Sequence, residues 1–192
     1  MATNYLGPLY GGTAVDDSSI GTAVWATPSN GLVYDNTGTQ ASPSIGTPTH
    51  YLKVTGYSFA VPTNATIRGI IVNARVWRLG GPATTCADNA VRIVKGDSIG
   101  ATDKSSASNW PRLGTGSANF ISHGSASDLW GETWTATDIN GSTFGAAISA
   151  KRTGAKGGAI GCNIDTIRIT VYYDVMTLTG VLSMTGVASI TG

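Results

Sequence analysis

The chain has 192 residues, 41% of them hydrophobic and 12% charged, with 26 glycines and a formal net charge of +1 at pH 7. It is long enough for one domain with a sizeable core plus appendages, and it lacks the low hydrophobicity and high net charge of disordered chains. The near-neutral balance gives no electrostatic case for nucleic acid or a membrane surface as partner. Charged residues are about half the ~25% usual in globular chains, so Ser, Thr, Asn and Gly must cover the surface. That composition suits β-rich proteins working outside cells or inside large assemblies.

Residues 1–20 are expected as an extended arm. Their opening, MATNYLGPLYGG, has no basic region followed by an apolar core, so no secretory signal is visible. No stretch approaches the roughly 18 apolar residues of a membrane span. The chain is therefore expected to be made and left in the cytoplasm until some larger event releases it.

The body is expected over residues 21–174. In YLKVTGYSFAV, Leu52 and Val54 alternate, and the phase changes after Gly56 to Tyr57, Phe59 and Val61, as a bulge or a sheet corner would produce. In ATIRGIIVNARVWR, Ile70, Val72, Ala74 and Val76 share one face; Ile71 and Trp77 on the second predict that it is partly covered. NAVRIVK places Val91 and Ile93 together, and STFGAAISAK does the same for Phe144, Ala146, Ile148 and Ala150. IDTIRITVYYD sets Ile167, Ile169, Val171 and Tyr173 against Thr166, Arg168, Thr170 and Tyr172. These period-two alternations of β-branched and aromatic residues predict half-buried antiparallel strands. TPSNG, VPTNA, LGGPA, KGDS, INGS and KGG mark turns, and no segment sustains a helical period. The fold class expected is all-β: an antiparallel two-sheet β-sandwich, jelly-roll-like in topology.

Residues able to carry chemistry are few. Two histidines, His50 and His123, and a single glutamate, Glu132, form most of the acid–base inventory. ISHGSASD brings Ser122, His123 and Asp128 close in sequence, but a triad is made by convergence in space, and no catalytic role is expected. Glu132 beside Asp128 or Asp138 is not singled out as a glycosidase pair. Cys86 and Cys162 lie far apart, and free thiols are expected rather than a pair. Without a Cys-x-x-Cys or Cys/His cluster, neither a metal nor a cofactor is expected. Lys151, Arg152 and Lys156 read as a basic hairpin loop, and the sequons at Asn64 and Asn140 as turns. Trp110, Trp130 and Trp134 fall in one Gly/Ser-rich region. They are candidate glycan contacts if exposed, and core plugs bonded through their N–H groups if not; the second reading is favoured.

The chain closes on TLTGVLSMTGVASITG, where Thr-Gly recurs every six residues at 179–180, 185–186 and 191–192. Six is even, so an extended ribbon returns each repeat to the same face, with Leu178, Leu182, Met184 and Ile190 aligned and Val181 and Val187 opposite. Three hexads are too few to build a β-helix core alone, and an uncharged open edge invites pairing. Residues 175–192 are therefore expected as an assembly tail, with Leu178, Val181, Leu182, Met184, Val187 and Ile190 at the interface. The tail would wind with other copies into a closed stalk, a trimer, or add to a neighbour's sheet.

Three stretches taken together carry a resemblance: VWATPSNGLVYDNTGTQAS; FAVPTNATIRGIIVNARVWR followed by VRIVKGDSIG; and the run from Leu129-Trp130-Gly131 through Trp134-Thr135 and Asp138-Ile139-Asn140 to the final strand. Their order over residues 22–174 resembles a group of β-sandwich proteins from tailed bacteriophages and prophages, described as virion structural, head-decoration or fibre-associated. The resemblance implies a non-enzymatic role on the head, neck or tail of a particle, with other virion proteins as partners. It brings no catalytic residues. The alternative is a carbohydrate-binding or receptor-binding module contacting a host surface glycan through the Trp110–Trp134 region.

Overall fold

The computed structural model describes residues 3–81, 83–112, 119–153 and 160–175. The chain folds as two five-stranded sheets packed face to face, one of them curled. Among the described residues, ten strands are divided between them: β1 (Thr3–Tyr10), β2 (Thr13–Asp17), β3 (Thr39–Ala41), β4 (Tyr51–Thr55), β5 (Ala65–Leu79), β6 (Cys86–Lys95), β7 (Ser98–Ile99), β8 (Asn119–Ser125), β9 (Gly145–Arg152) and β10 (Gly161–Val175). The first sheet runs β1-β10-β5-β8, with β3 also pairing β10; the second runs β2-β4-β9-β6-β7. Every strand pair is antiparallel.

The alternations resolve as expected. Ile70, Val72, Ala74 and Val76 of β5 and Ile167, Ile169 and Val171 of β10 are fully buried, and they share one core with Leu52, Val54, Val91, Ile93, Ala146 and Ile148 of the second sheet. Gly56 (φ +75°) ends β4, and Tyr57, Phe59 and Val61 continue outside any strand yet fill the same core. The phase change is thus a strand exit.

Two features go beyond the sequence reading, and one expectation is corrected. Residues 3–17, within the segment expected as an extended arm, are extended and paired: β1 pairs with β10 from Thr3↔Asp174 to Tyr10↔Arg168, and β2 pairs with β4. Leu6 and Leu9 turn inward because they register with Val171 and Ile169, so the N-terminal segment supplies an edge strand to each sheet. A short helix, α1 (Ala136–Asn140), is closed by a reciprocal capping box in which Thr135 Oγ1 accepts from Asp138 N–H at 3.1 Å and Asp138 Oδ2 accepts from Thr135 N–H at 2.8 Å. Five residues are too few to show a helical period. Finally, Cys86 and Cys162 form a disulfide across 76 residues, with Cα atoms 6.0 Å apart and both side chains fully buried. Cys86 opens β6 and Cys162 lies at the start of β10, so the bond ties the two sheets together. Spacing along the chain carries no trace of that proximity, which the sandwich alone creates.

Candidate functional site

Each sequence-selected tryptophan spends its indole N–H on an acceptor within the protein. Trp110 is buried and donates its indole N–H to Asp88 Oδ1 at 2.9 Å. Trp130 is fully buried and donates to the Ile70 carbonyl at 2.9 Å. Its backbone is left-handed (φ 59°), a costly conformation for a bulky residue, and Asp128 Oδ1 accepts from its N–H at 2.8 Å. Trp134 is half-buried, edge-on to Phe144, with its N–H on the Leu129 carbonyl and Lys95 Nζ 5.3 Å from its ring centre. Neither Trp110 nor Trp130 offers a face to a sugar. The tail residues Leu178, Val181, Leu182, Met184, Val187 and Ile190 lie outside the described residues, as does Lys156.

Ser122, His123 and Asp128 do not converge as a triad. On β8 the pleat sends Ser122 to the exposed side, where Asn73 Nδ2 donates to its hydroxyl at 2.6 Å, and sends His123 inward. His123 Nδ1 lies 2.9 Å from the Lys104 carbonyl, which can only accept, so Nδ1 carries the proton. Nε2 has no hydrogen-bond partner and lies 3.6 Å from buried Asp88 Oδ2. Asp128 pairs instead with Lys104 Nζ at 2.9 Å. Burial works to raise the Asp128 carboxyl, but the bonds from Lys104 and Trp130 N–H outweigh it and hold it below the usual carboxylate range. Likewise Glu132 gains no paired carboxylate in Asp138, which is engaged by Thr135 and Lys95. No group of three or more His, Cys, Asp or Glu side chains positioned for a metal occurs among the described residues.

The surface that gathers ligand-type side chains is the outer face of the first sheet, and the elements above explain why. Side chains opposite the core on β10 and β5 are Arg168, Thr170 and Tyr172, and Ile71, Asn73 and Arg75. Register adds Tyr5 and Tyr10 from β1 and Phe120 and Ser122 from β8. The segment between the 3-10 turn Pro28–Gly31 and β3 folds over one end of this face. Gly38 (φ +61°) makes that approach possible, since a Cβ there would sit 2.6 Å from the Trp77 ring. Trp77 is thereby buried, as its position on the second face of β5 predicts.

The same segment delivers Tyr34 and Asn36. Arg75 lies with its guanidinium 4.7 Å from the Tyr34 ring centre and 5.8 Å from that of Trp77. It donates to Asn36 Oδ1 at 2.6 Å and forms a buried ion pair with Asp165, the residue bulged out of the β10–β5 register between Ile164 and Thr166. Tyr34 stacks on Phe120 with ring centres 5.8 Å apart, and the Arg168 guanidinium lies 3.5 Å from the Phe120 ring centre. Tyr5 and Tyr172 approach at 5.8 Å at the other end of the face. Tyr5, Tyr10 and Tyr34 are 61%, 43% and 57% exposed, which separates them from every tryptophan discussed above. This face thus gathers partly exposed rings with amide, hydroxyl and guanidinium groups. Sequence reasoning set Arg168, Thr170 and Tyr172 on one side of their strand, but had no means of joining Tyr10 and Tyr34 to them.

No protein-family model matches the chain, and no curated protein matches it.

Proposed function

We propose that the protein is a non-enzymatic structural component of a tailed-phage particle: a rigid β-sandwich that decorates, or forms fibres on, the head, neck or tail. Its C-terminal ribbon would join it to further copies, as a trimer, or to neighbouring virion proteins. One observation carries this reading. The ribbon follows directly on β10, the strand that pairs with β1, β3 and β5 and holds the inter-sheet disulfide. A load on the ribbon would therefore pass into the centre of the first sheet rather than into a peelable edge. The buried disulfide fits a working place in an oxidising medium, such as that reached when particles leave the host.

The test is a truncation after Val175, which removes the hexads and leaves every paired residue of β10 in place. The full chain is expected to sediment as an oligomer or to bind particles, and the truncated chain to be monomeric and unbound with an unchanged melting temperature. A truncated chain that still assembles like the full one refutes the role given to the ribbon.

A further inference from the structure

The outer face of the first sheet carries a site that the particle role does not use. Its central row is fixed by register: Tyr10 opposite Arg168, Arg168 opposite Asn73, and Asn73 opposite Ser122. Four strands at about 4.8 Å spacing make this row about 14 Å long, room for a short oligosaccharide rather than a single sugar. Tyr10 stands at one end of the row, and Tyr34 joins the other through Phe120. Both tyrosines are exposed, Tyr34 held in place by Phe120 and Arg75, and an aromatic ring at a surface matches the C–H face of a pyranose.

Between the rings lie groups with hydrogen-bonding capacity to spare. Asn73 spends one N–H on Ser122 and keeps its carbonyl oxygen and second N–H; Ser122 keeps its hydroxyl proton to donate. Arg168 supplies the charge. Arg75 is neutralised by Asp165 and Arg68 by Asp174, whereas Arg168 has no carboxylate partner among the described residues, and its buried Nε lacks a hydrogen-bond partner. Asp35 lies in the overlying segment, but its Oδ1 accepts from Thr37 N–H at 2.8 Å. One unpaired guanidinium is too little for a phosphate polymer, but it matches a carboxylate in planar, two-pronged geometry.

We propose that this face binds an acidic saccharide, a run of pyranose rings bearing carboxylates. The rings stack on Tyr10 and Tyr34, the hydroxyls bond to Asn73 and Ser122, and a carboxylate pairs with Arg168. The site stands independently of the particle assignment, because it belongs to the sandwich and not to the ribbon.

The experiment titrates the intact protein with an oligogalacturonate, its methyl ester and a neutral oligoglucoside, by calorimetry and by backbone-amide NMR. The oligogalacturonate should bind and shift the amides of Asn73, Ser122 and Arg168. The ester and the glucoside should bind about tenfold more weakly or worse, as loss of a charge-assisted bond implies. Arg168→Gln and Tyr34→Ala should each weaken binding at least about tenfold at unchanged melting temperature. Amide shifts in the unmodified protein locate the site should a variant fold poorly. Equal binding of acid and ester, shifts confined to other surfaces, or no binding of the oligogalacturonate overturns the proposal. None of these results bears on whether the ribbon assembles.

Discussion

Breaking the Cys86–Cys162 bond should destabilise the protein chiefly through the unfolded chain. Both half-cystines sit in backbone held by other means: Cys162 pairs with Arg78 and Ala41, and Cys86 with Arg152. Cutting the bond leaves those ladders in place, and the native sheets have little reason to separate. The unfolded chain, by contrast, loses a closed loop of 76 residues' separation. Loop-closure entropy for that length is about 4.5 kcal/mol at 25 °C, and for a domain of this size the melting temperature should fall by about 9–18 °C. Differential scanning calorimetry of the oxidised protein against the Cys86→Ala/Cys162→Ala variant reads this directly. Urea titration adds a second signature: the variant should show a larger m-value, because its unfolded state exposes more surface. A thiol-alkylating reagent should find no reactive sulfur in the oxidised protein, even after unfolding, since both cysteines are held in the disulfide. A shift of less than about 3 °C with unchanged m-value would refute the loop-closure account.

Other substitutions probe separate parts of the fold. Burial drives the Tyr57 phenol far above its ordinary value of 10. Above pH 10 the unfolded chain therefore loses a proton that the folded chain keeps, and stability should fall by about 1.4 kcal/mol per pH unit from this group. Tyr57→Phe should remove that part of the slope in alkaline urea titrations, and identical slopes would refute it. Asp165→Asn leaves buried Arg75 facing an uncharged group; chemical denaturation should show a loss of about 3–5 kcal/mol, with Arg75→Met in the same chain recovering most of it. Thr135→Ala removes one arm of the α1 capping box and should cost about 1 kcal/mol. Burial raises the Asp138 carboxyl, but its bonds to Thr135 outweigh this and hold it below 3.8. Its contribution is present above the unfolded value and lost as pH falls through the folded one, so the variant's deficit in thermal melts should shrink toward acid pH.

What was legible in the sequence follows from what period-two patterning encodes. A strand whose large apolar residues alternate toward one core announces itself, and β5, β6, β9 and β10 all did. The disulfide was hidden because two cysteines in different sheets meet only after both sheets exist. β1 was hidden because Gly7-Pro8 breaks its register between Leu6 and Leu9, so its inward leucines are not two residues apart. The tryptophans were ambiguous for a different reason: a large ring in a Gly/Ser-rich loop reads the same whether it points out or in. At Trp130 a signal existed in the spacing Asp128-Leu129-Trp130-Gly131, because an aspartate two residues ahead can accept the N–H of a tightly turned residue. For the tyrosines no local signal exists, since their grouping depends on cross-strand register.

The position of β10 ties these results together. Its inward residues fill the core, its bulge supplies the carboxylate that fixes Arg75, its start holds the disulfide, and its outward Arg168 and Tyr172 belong to the exposed aromatic face. The two proposed functions rest on different stretches of the chain: the repeat tail begins beyond Val175, whereas the proposed saccharide row lies at Arg168, seven positions earlier. Truncation after Val175 should therefore leave saccharide binding unchanged, and Arg168→Gln should leave assembly unchanged; a variant that loses both would show that the two proposals share one surface.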